Sequence, residues 1–366
     1  MDQEPAPRDY SNEAGIVRDY LPILTQLNDG RQCEVHGIVK RDEKGVPSRA
    51  WRLVLNPTSE KQDTGAIFDW DDTLDSYTER KQRFYEDSLS LVPEVSDETK
   101  EKFVSACKAI NKASRVLPPN GVHPEHYSPL LELQGVNNLI NSLQNNNQPE
   151  FIERLAEFTK EDQEEAARTF LQETVVPQLE GAIGTQAGMK DGKSKTYFVE
   201  KAEQATSVNF DKKPQGVDEA IWTRYKKHMT EVNIGEEDIE NFDLPENARF
   251  FIATFGEGGF QLEKVIEGLK FLKAHGKRLP DEIVLFTRGR KHPVIKDLVN
   301  TFPGISKFVY VDDSLRQIES IGDINKIVSI RAQRAGSQRA GQQPTSSIKT
   351  IDMKTTKMSE ILESAL

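Results

Sequence analysis

Apolar positions near the N-terminus recur at spacings of three and four. Ile16, Val17, Leu21, Leu24 and Leu27 fall on one side of a helix across residues 12–28, which closes at the turn Asn28-Asp29-Gly30, with Pro22 marking a kink or a start. CEVHGIVK (33–40) and SRAWRLVLN (48–56) are β-rich runs separated by polar residues 41–45, and they predict a hairpin with a longer loop. GAIFD (65–69) is a short apolar run that ends abruptly in acids, the pattern of a buried strand in a parallel sheet. From about 76 to 245 the pattern turns helical. From Ala248 strands and helices alternate: RFFIATFG, LEKVIEGLKFLKAHG, DEIVLFTRG, PVIKDLVNTF, KFVYVDDS, LRQIESIG and NKIVSIRA. Such alternation predicts an α/β protein with a doubly wound parallel sheet. The isolated strand at 65–69 needs partners, and the C-terminal array supplies them. The expected organisation is therefore an N-terminal helix and hairpin extension (1–64), an α/β core made of 65–75 and 246–332, an inserted helical domain (76–245) and a flexible tail (333–366). That tail is polar and locally basic, and ends in MSEILESAL, a candidate short helix.

Composition narrows the classes. The 366 residues carry 48 Lys+Arg against 59 Asp+Glu, a net charge of −11, which disfavours a whole-protein grip on nucleic acid. No run approaches a membrane span, and the acidic, Pro-containing start MDQEPAPRDY has neither secretory nor transit character, so a cytoplasmic address is expected. The two cysteines, Cys33 and Cys107, form no C-x-x-C pair, and the six histidines form no H-x-x-x-H pair, so disulfide and zinc scaffolds have little support.

Chemistry concentrates in Asp69-Trp70-Asp71-Asp72-Thr73-Leu74, directly after the predicted strand. Ligands of open α/β sheets bind at the carboxyl ends of the strands, where these acids stand. Two carboxylates at i and i+2 leaving a strand can converge on one point, one to attack and one to move a proton. This arrangement resembles the first motif of the haloacid dehalogenase (HAD) superfamily, D-x-D-x-T after a hydrophobic strand. Three further pieces follow in order. Thr254, closing RFFIA and followed by Gly256, is similar to the second motif. Lys291, in Arg290-Lys291-His292-Pro293, is similar to the third. Asp312 and Asp313, closing KFVYV, are similar to the fourth. Thr287, after another apolar strand, is an alternative to Thr254, but the family places a further strand between the second motif and the fourth, which favours Thr254. Lys296, one turn beyond Lys291, is the alternative lysine.

The resemblance spans 65–75 and 248–332 and implies a phosphohydrolase. Asp69 is then the nucleophile that becomes an aspartyl-phosphate, and Asp71 the general acid and base. The second acid favours phosphoryl chemistry over dehalogenation. Thr254, Gly256 and Lys291 become the substrate-binding residues. Four carboxylates facing a dianionic phosphate call for a cation, and the implied cofactor is Mg²⁺ held by Asp69, the main-chain carbonyl of Asp71, and Asp313, with Asp312 a ligand through water or an orienting group. The expected substrate is a small phosphorylated metabolite or nucleotide. A phosphotransferase or mutase using the same intermediate, and a non-catalytic binding protein on the same fold, are the competing functions. Asp72 and Asp75 read as solvated turn or cap residues, Trp70 as a packing residue and His292 as a loop residue. The run Gly256–Gly259 reads as a phosphate loop or simply the start of the next helix. Phe255 departs from the polar residue many relatives carry, and the helical insertion exceeds the usual cap.

Overall fold

A computed structural model describes residues 11–43, 45, 47–57, 62–114, 124–145, 160–177, 213–214, 216–232, 234–256, 258–334 and 348–365. Its elements, in chain order, begin with α1 (Ser11–Asp19), α2 (Leu21–Leu27), β1 (Glu34–Arg41), β2 (Pro47–Val54) and β3 (Thr64–Phe68). There follow α3 (Tyr77–Leu89), α4 (Asp97–Ser114), α5 (Pro124–Gln144), α6 (Lys160–Phe170, continued by a π-helical turn Leu171–Val175) and α7 (Glu219–Thr230). The remainder are α8 (Glu236–Asn241), β4 (Ala248–Phe255), α9 (Gly258–Ala274), β5 (Glu282–Arg288), α10 (Lys291–Thr301), β6 (Lys307–Asp312), α11 (Leu315–Ile321), β7 (Ile327–Gln333), β8 (Lys349–Asp352) and α12 (Met358–Ala365).

The chain divides into two units, one made of 1–78 and 232–366, the other of 79–231. The first is α/β. Its eight-stranded sheet runs in the order β1-β2-β5-β4-β3-β6-β7-β8, parallel except where β2 pairs with β1 and with β5. Strand β3 lies between β4 and β6, in register Phe68↔Ile252 and Phe68↔Val311. After β3 the chain builds outward to β4 and β5, then returns to the other side of β3 for β6, β7 and β8. The reversal puts a switch point at the carboxyl ends of β3 and β6, where the crossovers diverge and leave a crevice.

Strand residues alternate between two cores, as the period of two demands. Ala66, Phe68, Phe250, Ile252, Leu285 and Val311 face Leu262, Val265 and Leu269 of α9. Ile67, Phe251, Ala253, Val284 and Tyr310 face Val294, Ile295 and Leu298 of α10 and Ile318 and Ile321 of α11. Helices on both faces explain why β3 and β4 are apolar without alternation.

Three boundaries differ from expectation. The hairpin of the N-terminal extension joins the same sheet through β2 and β5, because its inner residues Leu53 and Leu55 complete the core. The segment assigned to a flexible tail contributes β8, whose Ile351 is buried, while the short helix expected at its end forms as α12, whose Met358, Ile361 and Leu362 are buried. Residues 335–347 of that tail lie outside the described residues. The helical unit ends at 231, so α8 belongs to the α/β unit.

The helical unit has its own core, which includes Phe84, Phe103, Ile110, Leu131, Leu139, Trp222 and Tyr225. Phe84 and Tyr225 join α3 to α7 edge to face with centroids 5.2 Å apart. Arg80 donates from its guanidinium to the carbonyl of Met229, 2.8 Å away, and so satisfies the C-terminal end of α7. Lys81 is also buried there, 2.5 Å from Glu132 and 2.8 Å from the amide oxygen of Asn111, with the Tyr85 hydroxyl donating to the other Glu132 oxygen. Cys107 is buried, and burial followed by the nearby Glu132 charge pushes its thiol well up.

Candidate active site

The main-chain N–H of Asp69 donates to the Val311 carbonyl at 2.9 Å, so the residue is still tied to β6 as the chain leaves β3. Asp312 ends β6 and Asp313 follows it. Carboxylate oxygens of Asp69, Asp312 and Asp313 all lie within 4.8 Å of one another, and all three side chains are buried. Lys291, at the first turn of α10, is buried beside them and reaches Asp69 at 2.7 Å and Asp312 at 2.8 Å. Lys296 is exposed, so the lysine that meets the acids is Lys291. Asp312 is held by three donors: Lys291 and the Tyr310 hydroxyl on one oxygen, and the Ser314 N–H on the other.

Two of the three buried acids, Asp69 and Asp312, share the Lys291 ammonium. Burial pushes the Asp69 carboxyl up to about 7, Lys291 pulls it down, and the Asp312 and Asp71 charges push it up again. Burial alone would lower the Lys291 ammonium, yet Asp312 and then Asp69 hold it above its ordinary value. The Tyr310 hydroxyl is raised by burial and then by Asp312. The ligand atoms that these three acids bring together are carboxylate oxygens. That set suits a hard divalent cation.

Thr254 sits on β4, the immediate neighbour of β3, whereas Thr287 sits one strand further away on β5. Gly256 does not offer its amide to the crevice, because its N–H donates to the Phe286 carbonyl at 3.0 Å. Gly258 begins α9, the plainer of the two readings of the glycine run. The turn after Asp69 is tightly determined. Asp71 and Asp75 form a single bridge, the Asp72 N–H donates to the Asp75 carbonyl, and Asp72 has φ of 55°. The Asp72 carboxylate accepts from the Thr78 N–H and hydroxyl and so caps the start of α3. Asp75 is not a solvated turn residue. It is fully buried and accepts from the Trp70 indole N–H at 3.2 Å. Trp70 packs so closely on α9 that a Cβ at Gly268 would meet its ring at 2.1 Å.

Sequence reasoning missed three residues. Gln261 and Lys264, on one side of α9, reach Asp71. Lys264 lies 2.5 and 2.6 Å from its two oxygens, and Gln261 donates to Asp71 at 3.1 Å and to the Thr254 hydroxyl at 2.5 Å. A lysine beside the apolar stripe Val265–Leu269–Leu272 was the available signal. The third is Arg334, which the polar composition of 331–349 assigned to the mobile tail. It is buried, pairs with both oxygens of Asp238 at 2.9 and 3.0 Å, and donates to the Thr73 and Leu74 carbonyls at 2.9–3.1 Å. Nothing local in its sequence marks it.

Comparison of the chain with family models, with curated proteins and with solved structures finds no match. Among the described residues no helix is long and apolar enough to cross a membrane.

Proposed function

We propose that the protein is a Mg²⁺-dependent phosphohydrolase of the HAD type, acting on a small phosphorylated metabolite or nucleotide. The observation that carries the reading is the meeting of Asp69, Lys291, Asp312 and Asp313 at the switch point of the sheet, four residues from three separate stretches of chain. Asp69 would attack phosphorus in line. Its Oδ–P bond forms as the bond from phosphorus to the leaving oxygen breaks, and a proton on Asp71 passes to that oxygen. Asp71 then takes a proton from water as the water oxygen bonds phosphorus and the Asp69 ester breaks. Thr254 stands on the neighbouring strand for a phosphate oxygen, and Lys291 offsets charge on the nucleophile and the phosphate.

Asp69, Asp313 and the Asp71 carbonyl would hold the metal, with Asp312 orienting Lys291. When bound, Mg²⁺ supplies the positive charge that lets a dianionic phosphate approach. The inserted helical unit 79–231 takes the part of the family's cap, which selects the substrate.

The test is hydrolysis of p-nitrophenyl phosphate by the purified full chain with Mg²⁺, with EDTA, and for Asp69→Asn. Turnover that needs the metal and is lost in the variant supports the reading. Turnover that persists in Asp69→Asn, or an inactive protein whose melting temperature ignores Mg²⁺, overturns it.

A further inference from the structure

We propose that Lys264 is a positioning residue that fixes the carboxylate of Asp71 for proton transfer to the leaving oxygen, and so sets how well the site handles poorly activated phosphate esters. The proposal rests on the phosphohydrolase reading and goes beyond the motifs that suggested it. Lys264 is 1% exposed on α9, on a buried face that it shares with Leu262, Val265, Ile266 and Leu269 and with the polar Gln261. Withdrawing an ammonium from water costs several kcal/mol unless a partner repays it. Its partner is Asp71, both of whose oxygens it meets, at 2.5 and 2.6 Å. The Tyr77 ring lies 4.8 Å from the same ammonium and closes its other side.

One ammonium nitrogen meeting both oxygens holds the Asp71 carboxyl along its own axis, and a donor to one oxygen alone, Gln261 on Oδ2, sets its rotation. Gln261, one turn earlier on α9, adds a third tie and links Asp71 to Thr254 through a single amide nitrogen. The acids of the site are thereby divided. Lys291 serves Asp69 and Asp312, the side where phosphorus is attacked, while Lys264 serves Asp71, the side from which the leaving oxygen departs. Attack by Asp69 does not need Asp71 in one orientation, whereas delivery of the Asp71 proton does, and the Lys264 ammonium stabilises the carboxylate left once that proton has passed to the leaving oxygen. The contribution of Lys264 therefore grows with the leaving group's need for a proton.

The experiment compares p-nitrophenyl, phenyl and simple alkyl phosphates on the wild type, Lys264→Met, Lys264→Gln and Lys264→Arg, each checked for its melting temperature. The expected result is a kcat loss that steepens along that series to about 10²-fold for the alkyl ester, with KM little moved and with partial recovery in Lys264→Arg. Combined with Asp71→Asn, Lys264→Met is expected to add nothing further. A uniform loss across the three esters, or additive losses in the double variant, leaves the hydrolase standing and overturns the role of Lys264. A wild type that hydrolyses none of the three and does not respond to Mg²⁺ overturns the hydrolase reading and this proposal together.

Discussion

Each unit of the chain buries a lysine among carboxylates, and the two clusters keep different accounts. In the helical unit, Lys81 pairs with Glu132, whose other oxygen accepts from the Tyr85 hydroxyl, an ammonium matched to a carboxylate. In the α/β unit, Lys291 faces Asp69 and Asp312 with Asp313 alongside, and burial first, then the Asp312 charge against the pull of Lys291, leaves the Asp69 carboxyl raised to about 7. A balanced buried pair serves the scaffold; an unbalanced one costs stability and is retained where something else completes it. The difference is a physical reason, independent of any motif, for proposing the second cluster as a site and the first as scaffold.

The sharpest break of that comparison is chemical. Asp69→Asn is expected to lower phosphatase turnover by at least about 10³-fold while leaving the fold intact, measured with p-nitrophenyl phosphate and Mg²⁺. The same residue type in the balanced cluster behaves in reverse. Lys81→Met, which strands Glu132, is expected to destabilise the helical unit by about 3–5 kcal/mol in urea unfolding. Without metal at neutral pH, Asp69→Asn is expected to raise the melting temperature by a few degrees, about 2–4 °C per kcal/mol for a unit of this size. A stabilising Lys81→Met or a destabilising Asp69→Asn would erase the distinction.

The pH dependence sharpens it further. Asp69 has its carboxyl raised from 3.8 to about 7, so the stability it contributes is whole below pH 3.8 and is lost as pH climbs through 7. Mg²⁺ must displace that proton. Its apparent affinity, read from melting shifts, is therefore expected to rise about tenfold per pH unit below 7 and to level off above it. The smallest effect concerns packing. Gly268→Ala drives a methyl into the Trp70 ring beside Asp71 and is expected to cost about 1–3 kcal/mol, read from urea unfolding.

What could be read from the chain alone follows the range of each signal. Strand β3 with its terminal acids is local, as is the strand–helix alternation after Ala248, so the α/β class was visible, while the approach of Lys291, Asp312 and Asp313 to Asp69 was implied by the motif resemblance. Pairings between distant segments were not. The hairpin was legible, but its antiparallel join to β5 depends on which edge is left open, and β8 hides in a polar stretch that becomes a strand only beside β7. Buried polar residues were least legible. Lys264, Arg334 and Asp75 look like surface residues until a partner far along the chain, or a tight turn, takes them out of water.

The central claim is that Asp69 becomes covalently phosphorylated. Acid-quenching the Mg²⁺-loaded full chain during turnover of p-nitrophenyl phosphate, reducing it with borohydride and sequencing the peptides by mass spectrometry tests that directly. The account predicts homoserine at position 69, absent from the EDTA control and from Asp69→Asn. Steady turnover with an unmodified Asp69, or modification at another acid, would contradict it.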